Sequence, residues 1–226
     1  MNYKTINYIK TINKNINSIL LYNYINKIIN PYFFLDKEYN NSNIDIFTKM
    51  MNNRIIFIGT EINNEISNII QSQLLFLDSI NNKSIKIYIN SPGGDIYSGL
   101  GIYDTMQLIN SKIYTTCIGI AASMAAILLC SGEKGKRYSL KHSRIMIHQP
   151  IINNLNGQES DIEIKANEIK KLKKELYKII SYHTKKNFKI IEKNADRDYW
   201  MTSKEAKKYG MIDKILYNKN KYDKKL

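Results

Sequence analysis

Cysteine, histidine, proline and arginine are all scarce in this chain, and each scarcity removes a class of function. There are two cysteines among 226 residues, Cys117 and Cys130, both in apolar surroundings and without metal-ligand spacing. A disulfide scaffold needs more of them, so the sequence points to a reducing compartment. Histidine occurs three times, at positions 142, 148 and 183, which leaves few candidates for a general base. The only arginines are Arg54, Arg137, Arg144 and Arg197, so the formal charge of +14 comes almost entirely from lysine spread along the chain. Asn, Ile, Lys and Tyr are inflated together and share AT-rich codons. The basicity is therefore assigned to compositional bias and not to a nucleic-acid or membrane partner. No stretch approaches the ~20 apolar residues of a membrane helix, and the longest, Cys117 to Cys130, reads as core. Residues 1–35 hold four lysines and no acid, yet lack the clean apolar stretch and small-residue cleavage site of a signal peptide.

The length and the 43% hydrophobic content suit one domain of ordinary size with a sizeable core. The first 43 residues read as a variable extension, flexible or processed, with a joint at Asn30-Pro31 and an apolar patch at Tyr32-Phe33-Phe34. From Arg54 onward strand and helix patterns alternate. Ile55–Ile58, Ile85–Ile89, Ile113–Ile118 and Arg144–Ile147 read as strands, and Met211–Leu216 as a final one. Amphipathic or small-residue helices are expected over Ile62–Leu77, over Tyr97–Ile109 and from Ser123. This order argues for an α/β fold with largely parallel strands. A long helix over about 159–183 carries a stripe of Ile162, Ile169, Leu172, Leu176 and Ile179, either an oligomer contact or a face packed on its own domain. Thr202-Ser203-Lys204-Glu205 is a capping box opening a helix that Gly210 closes.

Three segments carry chemistry. Ser91-Pro92-Gly93-Gly94-Asp95 lies between a strand and a helix, where paired glycines let backbone N–H groups face a ligand. The P-loop Lys-Ser/Thr and the Gly-x-Gly-x-x-Gly spacing are both missing, and the segment is as well suited to an oxyanion as to a phosphate. Gly119-Ile120-Ala121-Ala122-Ser123-Met124-Ala125-Ala126 places a serine among small residues at a strand-to-helix turn, open to a substrate carbonyl. Alanine at 121 and 125 departs from the Gly-x-Ser-x-Gly elbow, and a serine in a tight helix contact is the bland alternative. His148 ends a strand just before Pro150, well placed as a base. Glu159, Asp161, Glu163 and the Asp196-Arg197-Asp198 cluster all remain open as its carboxylate partner.

Together these segments resemble the Clp protease proteolytic subunit family. The resemblance is carried by Ile89-Asn90-Ser91-Pro92-Gly93-Gly94, Ile102-Tyr103-Asp104-Thr105-Met106, Ala121-Ala122-Ser123-Met124, Lys134-Gly135-Lys136-Arg137 and Ser143-Arg144-Ile145-Met146-Ile147-His148-Gln149-Pro150. It continues through Gly157-Gln158, Asp161-Ile162-Glu163-Ile164, Asp196-Arg197-Asp198-Tyr199-Trp200-Met201 and Glu205-Ala206-Lys207-Lys208-Tyr209-Gly210-Met211-Ile212-Asp213. It runs collinearly from about residue 44 to 217, so a peptidase domain is expected over 44–226.

The resemblance implies a crotonase-like α/β fold of repeated β-β-α and βα units with a projecting handle helix. It implies Ser123 as nucleophile, His148 as base and Asp198 as the orienting carboxylate, with the Gly94 and Met124 amides as oxyanion hole. The long helix matches the handle that joins two heptameric rings into a barrel of fourteen subunits, with Ile162, Ile169, Leu172 and Leu176 at the contact. Asp196 and Arg197 match a pair linking ring contact to site alignment. Phe76, Tyr88 and Leu108 fall at the groove for a hexameric AAA+ unfoldase, although Lys86 stands where relatives often carry an aromatic residue. Substrates would be unfolded polypeptides. No metal or organic cofactor is expected, and ATP would be used by the partner unfoldase. The expected location is the cytoplasm, or an organelle of bacterial origin if residues 1–35 act as a transit peptide. A ring subunit that has lost its triad, a Ser-Lys peptidase and a crotonase-type hydratase are rivals. The first loses triad residues, which this sequence retains, the second needs Lys in place of His148, and the third does without a Ser-His pair.

Overall fold

A computed structural model of the chain describes residues 46–151 and 157–217; the expected extension over 1–43 lies outside them. After a short helix, α1 (Ile46–Asn52), strands and helices alternate as β1 (Ile55–Ile58), α2 (Asn64–Ile80), β2 (Ile85–Ser91), α3 (Ile96–Leu108), β3 (Ile113–Ala122) and α4 (Met124–Cys130). The order continues with β4 (Arg137–Leu140), β5 (Arg144–Ile147), α5 (Glu159–Thr184) and α6 (Phe188–Asn194). It closes with β6 (Tyr199–Thr202), α7 (Ser203–Tyr209) and β7 (Lys214–Leu216).

The expected α/β architecture is found. β1, β2, β3, β4 and β7 pair in that order, all parallel. Alternating burial along β2 turns Ile85, Ile87 and Ile89 into the core and Lys86 and Asn90 outward. Local side chains set the helix starts: the Asn63 carboxamide accepts from the Ile66 N–H and the Asp95 carboxylate from the Ser98 N–H. At α7 the Thr202–Glu205 capping box is complete, and Gly210 takes the left-handed φ of 99° that ends the helix.

β3 positions the site by forking the sheet. Its first half, Thr115–Cys117, pairs with β4, and its second half, Ile120–Ala122, pairs with β5. β5 in turn pairs antiparallel with β6. The sequence pattern ended this strand at Ile118, because Gly119 and the two alanines read as helix approach. Pairing with Ser91 on one side and Ile145 and Met146 on the other extends it to Ala122. Conversely, the last strand begins at Lys214 instead of Met211. The Met211 N–H donates to the Ala206 carbonyl in the α7 C-cap and so cannot join a ladder.

All seven residues of α4 are buried, between β3, α3 and α5. The C-terminal part of α5 lies on α4 and α6, which divides its apolar stripe. Leu172 and Leu176 are only 6% and 5% exposed within their own chain. Ile162 and Ile169, nearer the helix start, remain half-buried, and Ile164 is 67% exposed.

Candidate active site

Strand register brings the chemical segments to one edge of the sheet. Ala122 pairs with Met146 and Ile147 with Tyr199, so Ser123 after β3, His148 after β5 and Asp198 before β6 are lateral neighbours. Ser91, the last residue of β2, pairs with Ala121 and delivers the glycine loop to the same edge.

Ser123 occupies a turn of φ 55° and ψ −125°, a left-handed backbone that a non-glycine residue holds only at a cost of about 1–3 kcal/mol. Its N–H donates to the Met146 carbonyl at 2.9 Å, fixing the turn to β5. The strain lifts the hydroxyl out of the strand. Met124 opens α4, so its own N–H has no carbonyl a turn back to bond. Gly93 and Gly94 sit against this turn at φ 98° and 149°. A Cβ on Gly93 would meet the Ser123 Cβ at 2.7 Å, and one on Gly94 would meet the Ile62 carbonyl at 2.1 Å. Only glycine allows the loop this close.

The imidazole of His148 is contacted at both nitrogens. Nε2 lies 2.9 Å from Ser123 Oγ and Nδ1 lies 3.2 Å from Asp198 Oδ1. The His148 side chain is 14% exposed and that of Asp198 58%. Of the acids that spacing left open, Asp198 is the one on the ring; Glu159, Asp161 and Glu163 lie on α5. A cavity of about 530 Å³ opens beside the serine, lined by apolar side chains such as Ile96, Ile127, Ile147 and Leu176 together with Glu61, Gly94, Ser123 and His148. A hydroxyl, an imidazole on it, a carboxylate behind the imidazole and a row of small residues form an arrangement that acyl transfer can use.

The family comparison agrees with this geometry: a Clp protease model matches residues 37–219. The chain belongs to the Clp protease family. An ATP-dependent Clp protease proteolytic subunit of Bacteroides fragilis is 55% identical over 192 residues, which cover 84% of this chain and 92% of the relative. Proteins of the same name from Bacteroides thetaiotaomicron and Porphyromonas gingivalis are 55% and 54% identical, over 84% and 85% of this chain and 87% of each relative. The Clp protease family is one of serine peptidases, so this member is a serine peptidase that hydrolyses peptide bonds.

The remaining positions singled out in this Clp protease chain stand apart from the cavity. Asp196 and Arg197 are exposed. Phe76 and Leu108 are exposed at 53% and 76%, Tyr88 is half-buried on the outward side of β2, and no ring contact joins Tyr88 to Phe76. Neither cysteine is poised to react; both are buried, and burial pushes the Cys130 thiol up to about 12. No group of three or more His, Cys, Asp or Glu side chains is placed to hold a metal ion among the described residues, and none of their helices is long and apolar enough to cross a membrane.

Sequence reasoning missed the supports. Gln149 donates through Nε2 to the Asp196 carbonyl at 2.8 Å and accepts from Lys173 Nζ at 2.9 Å. The Tyr177 hydroxyl donates to the Ala195 carbonyl at 3.2 Å. The loop that presents Asp198 is thus gripped at two carbonyls, one by Tyr177 of α5 and one by Gln149, which Lys173 of α5 holds in turn. Farther back, the buried Arg137 guanidinium forks onto Asp213 at 2.9 and 2.6 Å and also donates to the Cys130 and His183 carbonyls. It ties β4, α4, α5 and the approach to β7 together. Burial and the nearby charges of Arg137 and Lys185 lower His183 to about 4, keeping that ring neutral beside the Tyr103 hydroxyl.

Proposed function

We propose that this chain is the catalytic subunit of an ATP-dependent protease, in which Ser123 attacks the scissile carbonyl and His148 and Asp198 drive the proton transfers. The observation that carries the reading is the imidazole held between Ser123 Oγ and Asp198 Oδ1 through its two nitrogens. His148 Nε2 takes the hydroxyl proton as Oγ bonds to the carbonyl carbon. The carbonyl oxygen becomes an oxyanion, and the Gly94 and Met124 N–H groups donate to it. The imidazolium, oriented and stabilised by Asp198, then gives its proton to the departing amine, and an acyl-Ser123 ester forms. Water, deprotonated by His148, attacks the ester and releases the new carboxyl terminus. Each step is a proton transfer or an acyl transfer, and the chain's own groups suffice.

The relatives' name includes ATP dependence. That name supports a partner ATPase; in the fuller reading, which rests on the family resemblance, a hexameric AAA+ ATPase unfolds substrates and delivers them to stacked heptameric rings, in the cytoplasm. Exposed Phe76 and Leu108 with half-buried Tyr88 are the docking surface in this reading. Ile162, Ile169, Leu172 and Leu176 on α5 form the ring contact in this reading, and Asp196 and Arg197, exposed near the triad, link it to site alignment. The purified assembly is expected to cleave short peptides unaided and to degrade folded proteins only when the ATPase and ATP are added. Tyr88→Ala removes an aromatic anchor, typically about 2 kcal/mol or more at a hot spot. It is expected to abolish the ATPase-dependent degradation and spare peptide cleavage. Unaided digestion of folded protein would contradict the closed-chamber reading, and unimpaired degradation by Tyr88→Ala would contradict the docking surface.

A further inference from the structure

The charge of the cavity beside Ser123 runs against the charge of the chain. The protein carries 34 basic and 20 acidic residues, yet the cavity lining contains Glu61 and Asp95 and neither lysine nor arginine. The adjoining cavity at the start of α5 shares Asp95 and adds Glu168 but also holds Lys165, so the acidic lining without any lysine or arginine belongs to the cavity at the nucleophile. The two acids differ in what occupies them. Asp95 caps α3, its Oδ1 accepting from the Ser98 N–H at 2.7 Å. Glu61 is exposed, and its carboxylate has no ion-pair partner among the described residues.

Position fixes where that carboxylate stands. Ile62, the next residue, is buried and locked to the glycine loop by two backbone bonds: its N–H donates to the Gly93 carbonyl at 2.7 Å, and its carbonyl accepts from the Asp95 N–H at 2.8 Å. Glu61 is therefore held at the rim, next to the loop whose Gly94 amide faces the reacting carbonyl. Behind the rim the wall is aliphatic, with Ile96, Ile127, Ile147 and Leu176. An apolar wall with one free carboxylate at its lip suits a side chain with an aliphatic stem and a cationic head.

We propose that Glu61 is a specificity-determining residue that favours lysine or arginine in the substrate at one of the two positions flanking the scissile bond. The inference rests on Ser123 being the nucleophile. The stem lies along the isoleucines and the head meets the Glu61 carboxylate at the open edge, where water still screens the pair. The preference is accordingly modest, about three- to fivefold in kcat/KM, the range of a partly exposed ion pair. It shrinks as salt is added.

The test uses the purified full-length protein and quenched-fluorescent peptides identical except at one flanking residue, which is lysine, norleucine or glutamate. Norleucine keeps the stem and removes the charge. Glu61→Gln is expected to lower the lysine-to-norleucine ratio of kcat/KM by about threefold or more and to relieve the penalty on glutamate. Glu61→Lys is expected to carry the change further, favouring glutamate over lysine. Glu65→Gln, an exposed acid at the start of α2 that does not line the cavity, serves as the control and is expected to keep the wild-type ratio. A lysine-to-norleucine ratio that is the same in wild type and Glu61→Gln at both flanking positions overturns the proposal. So does an equal drop in Glu65→Gln, which would make the effect a long-range one. Ser123→Ala separates the two readings: peptide cleavage surviving that change removes the active-site assignment itself, whereas an unchanged ratio in Glu61→Gln removes only the role of Glu61.

Discussion

Asp198 is weakly packed, with more than half of its side chain in solvent, so the loop behind it must supply its precision. That loop is gripped by Gln149 Nε2 on the Asp196 carbonyl at 2.8 Å and by the Tyr177 hydroxyl on the Ala195 carbonyl at 3.2 Å. Gln149→Leu keeps the side-chain size and removes the first grip together with the bond from Lys173. One such hydrogen bond is worth about 0.5–1.5 kcal/mol net, because water can replace it at an exposed site. If that energy holds the loop in its productive position, losing it lowers the aligned population by about two- to tenfold. The kcat for peptide hydrolysis is expected to fall by that factor. KM should hold, since Gln149 does not line the cavity beside Ser123. Gln149→Glu keeps the acceptor for Lys173 but cannot donate to the Asp196 carbonyl when ionised, so it should resemble the leucine variant. Tyr177→Phe acts on the same loop, and its effect should combine non-additively with that of Gln149→Leu. Steady-state kinetics on short peptides decide the matter. A kcat within measurement error of wild type in Gln149→Leu, or a loss confined to KM, would refute the reasoning.

Asp213→Ala leaves the buried Arg137 guanidinium without its carboxylate and should cost about 3–5 kcal/mol, read as a lower thermal midpoint; a midpoint unchanged from wild type would contradict this. Burial raises the Asp213 carboxyl, but hydrogen bonds from Arg137 and Gly135 and the Arg137 charge outweigh it and hold the group below its usual range. Its contribution to stability is then fully present above the unfolded carboxylate value of about 4 and is lost as pH falls through the lower folded value. Asp213→Asn should accordingly flatten the acid limb of the stability curve. Gly94→Ala must move the loop off Ile62 and misplace its amide. It should lower kcat by about 10²–10³-fold, the range for one lost oxyanion donor, while circular dichroism stays native. Ile164→Glu with Ile169→Glu should reduce the particle mass in light scattering, by placing charge in an apolar contact, and an unchanged mass would sink that contact. Leu172→Glu, by contrast, should destabilise the protomer itself, because Leu172 is buried in its own chain.

Much of this was legible because local pattern and tertiary role coincide. β1 and β5 have the expected bounds, and α5 runs one residue beyond its expected end, since strand runs of β-branched residues and a stripe on a charged helix are local signals. The chemical positions were legible as motifs, small residues around Ser123 and a histidine before a proline. What was illegible depends on partners distant in sequence. β4 and β6 are four residues each and exist as strands because β3 forks and β5 needs a neighbour. The stripe on α5 reads as one face, but α4 and α6 cover only its C-terminal part, so periodicity could not say that Leu172 is buried while Ile162 and Ile169 stay half-buried. The Arg137–Asp213 pair is separated by 76 residues, and the grip of Gln149 on a backbone carbonyl leaves no trace in side-chain pattern.

The central claim is that Ser123 is a nucleophile activated by His148 and Asp198. Labelling with a fluorophosphonate probe, followed by mass spectrometry of the modified peptide, tests it most directly. The probe reacts only with a serine whose hydroxyl is deprotonated by an aligned base. The expected result is a single adduct on Ser123, absent in Ser123→Ala, suppressed in His148→Ala and slowed in Asp198→Asn, with peptidase activity falling in parallel. An adduct on another serine, or full labelling of Ser123 in the His148→Ala protein, would contradict the account.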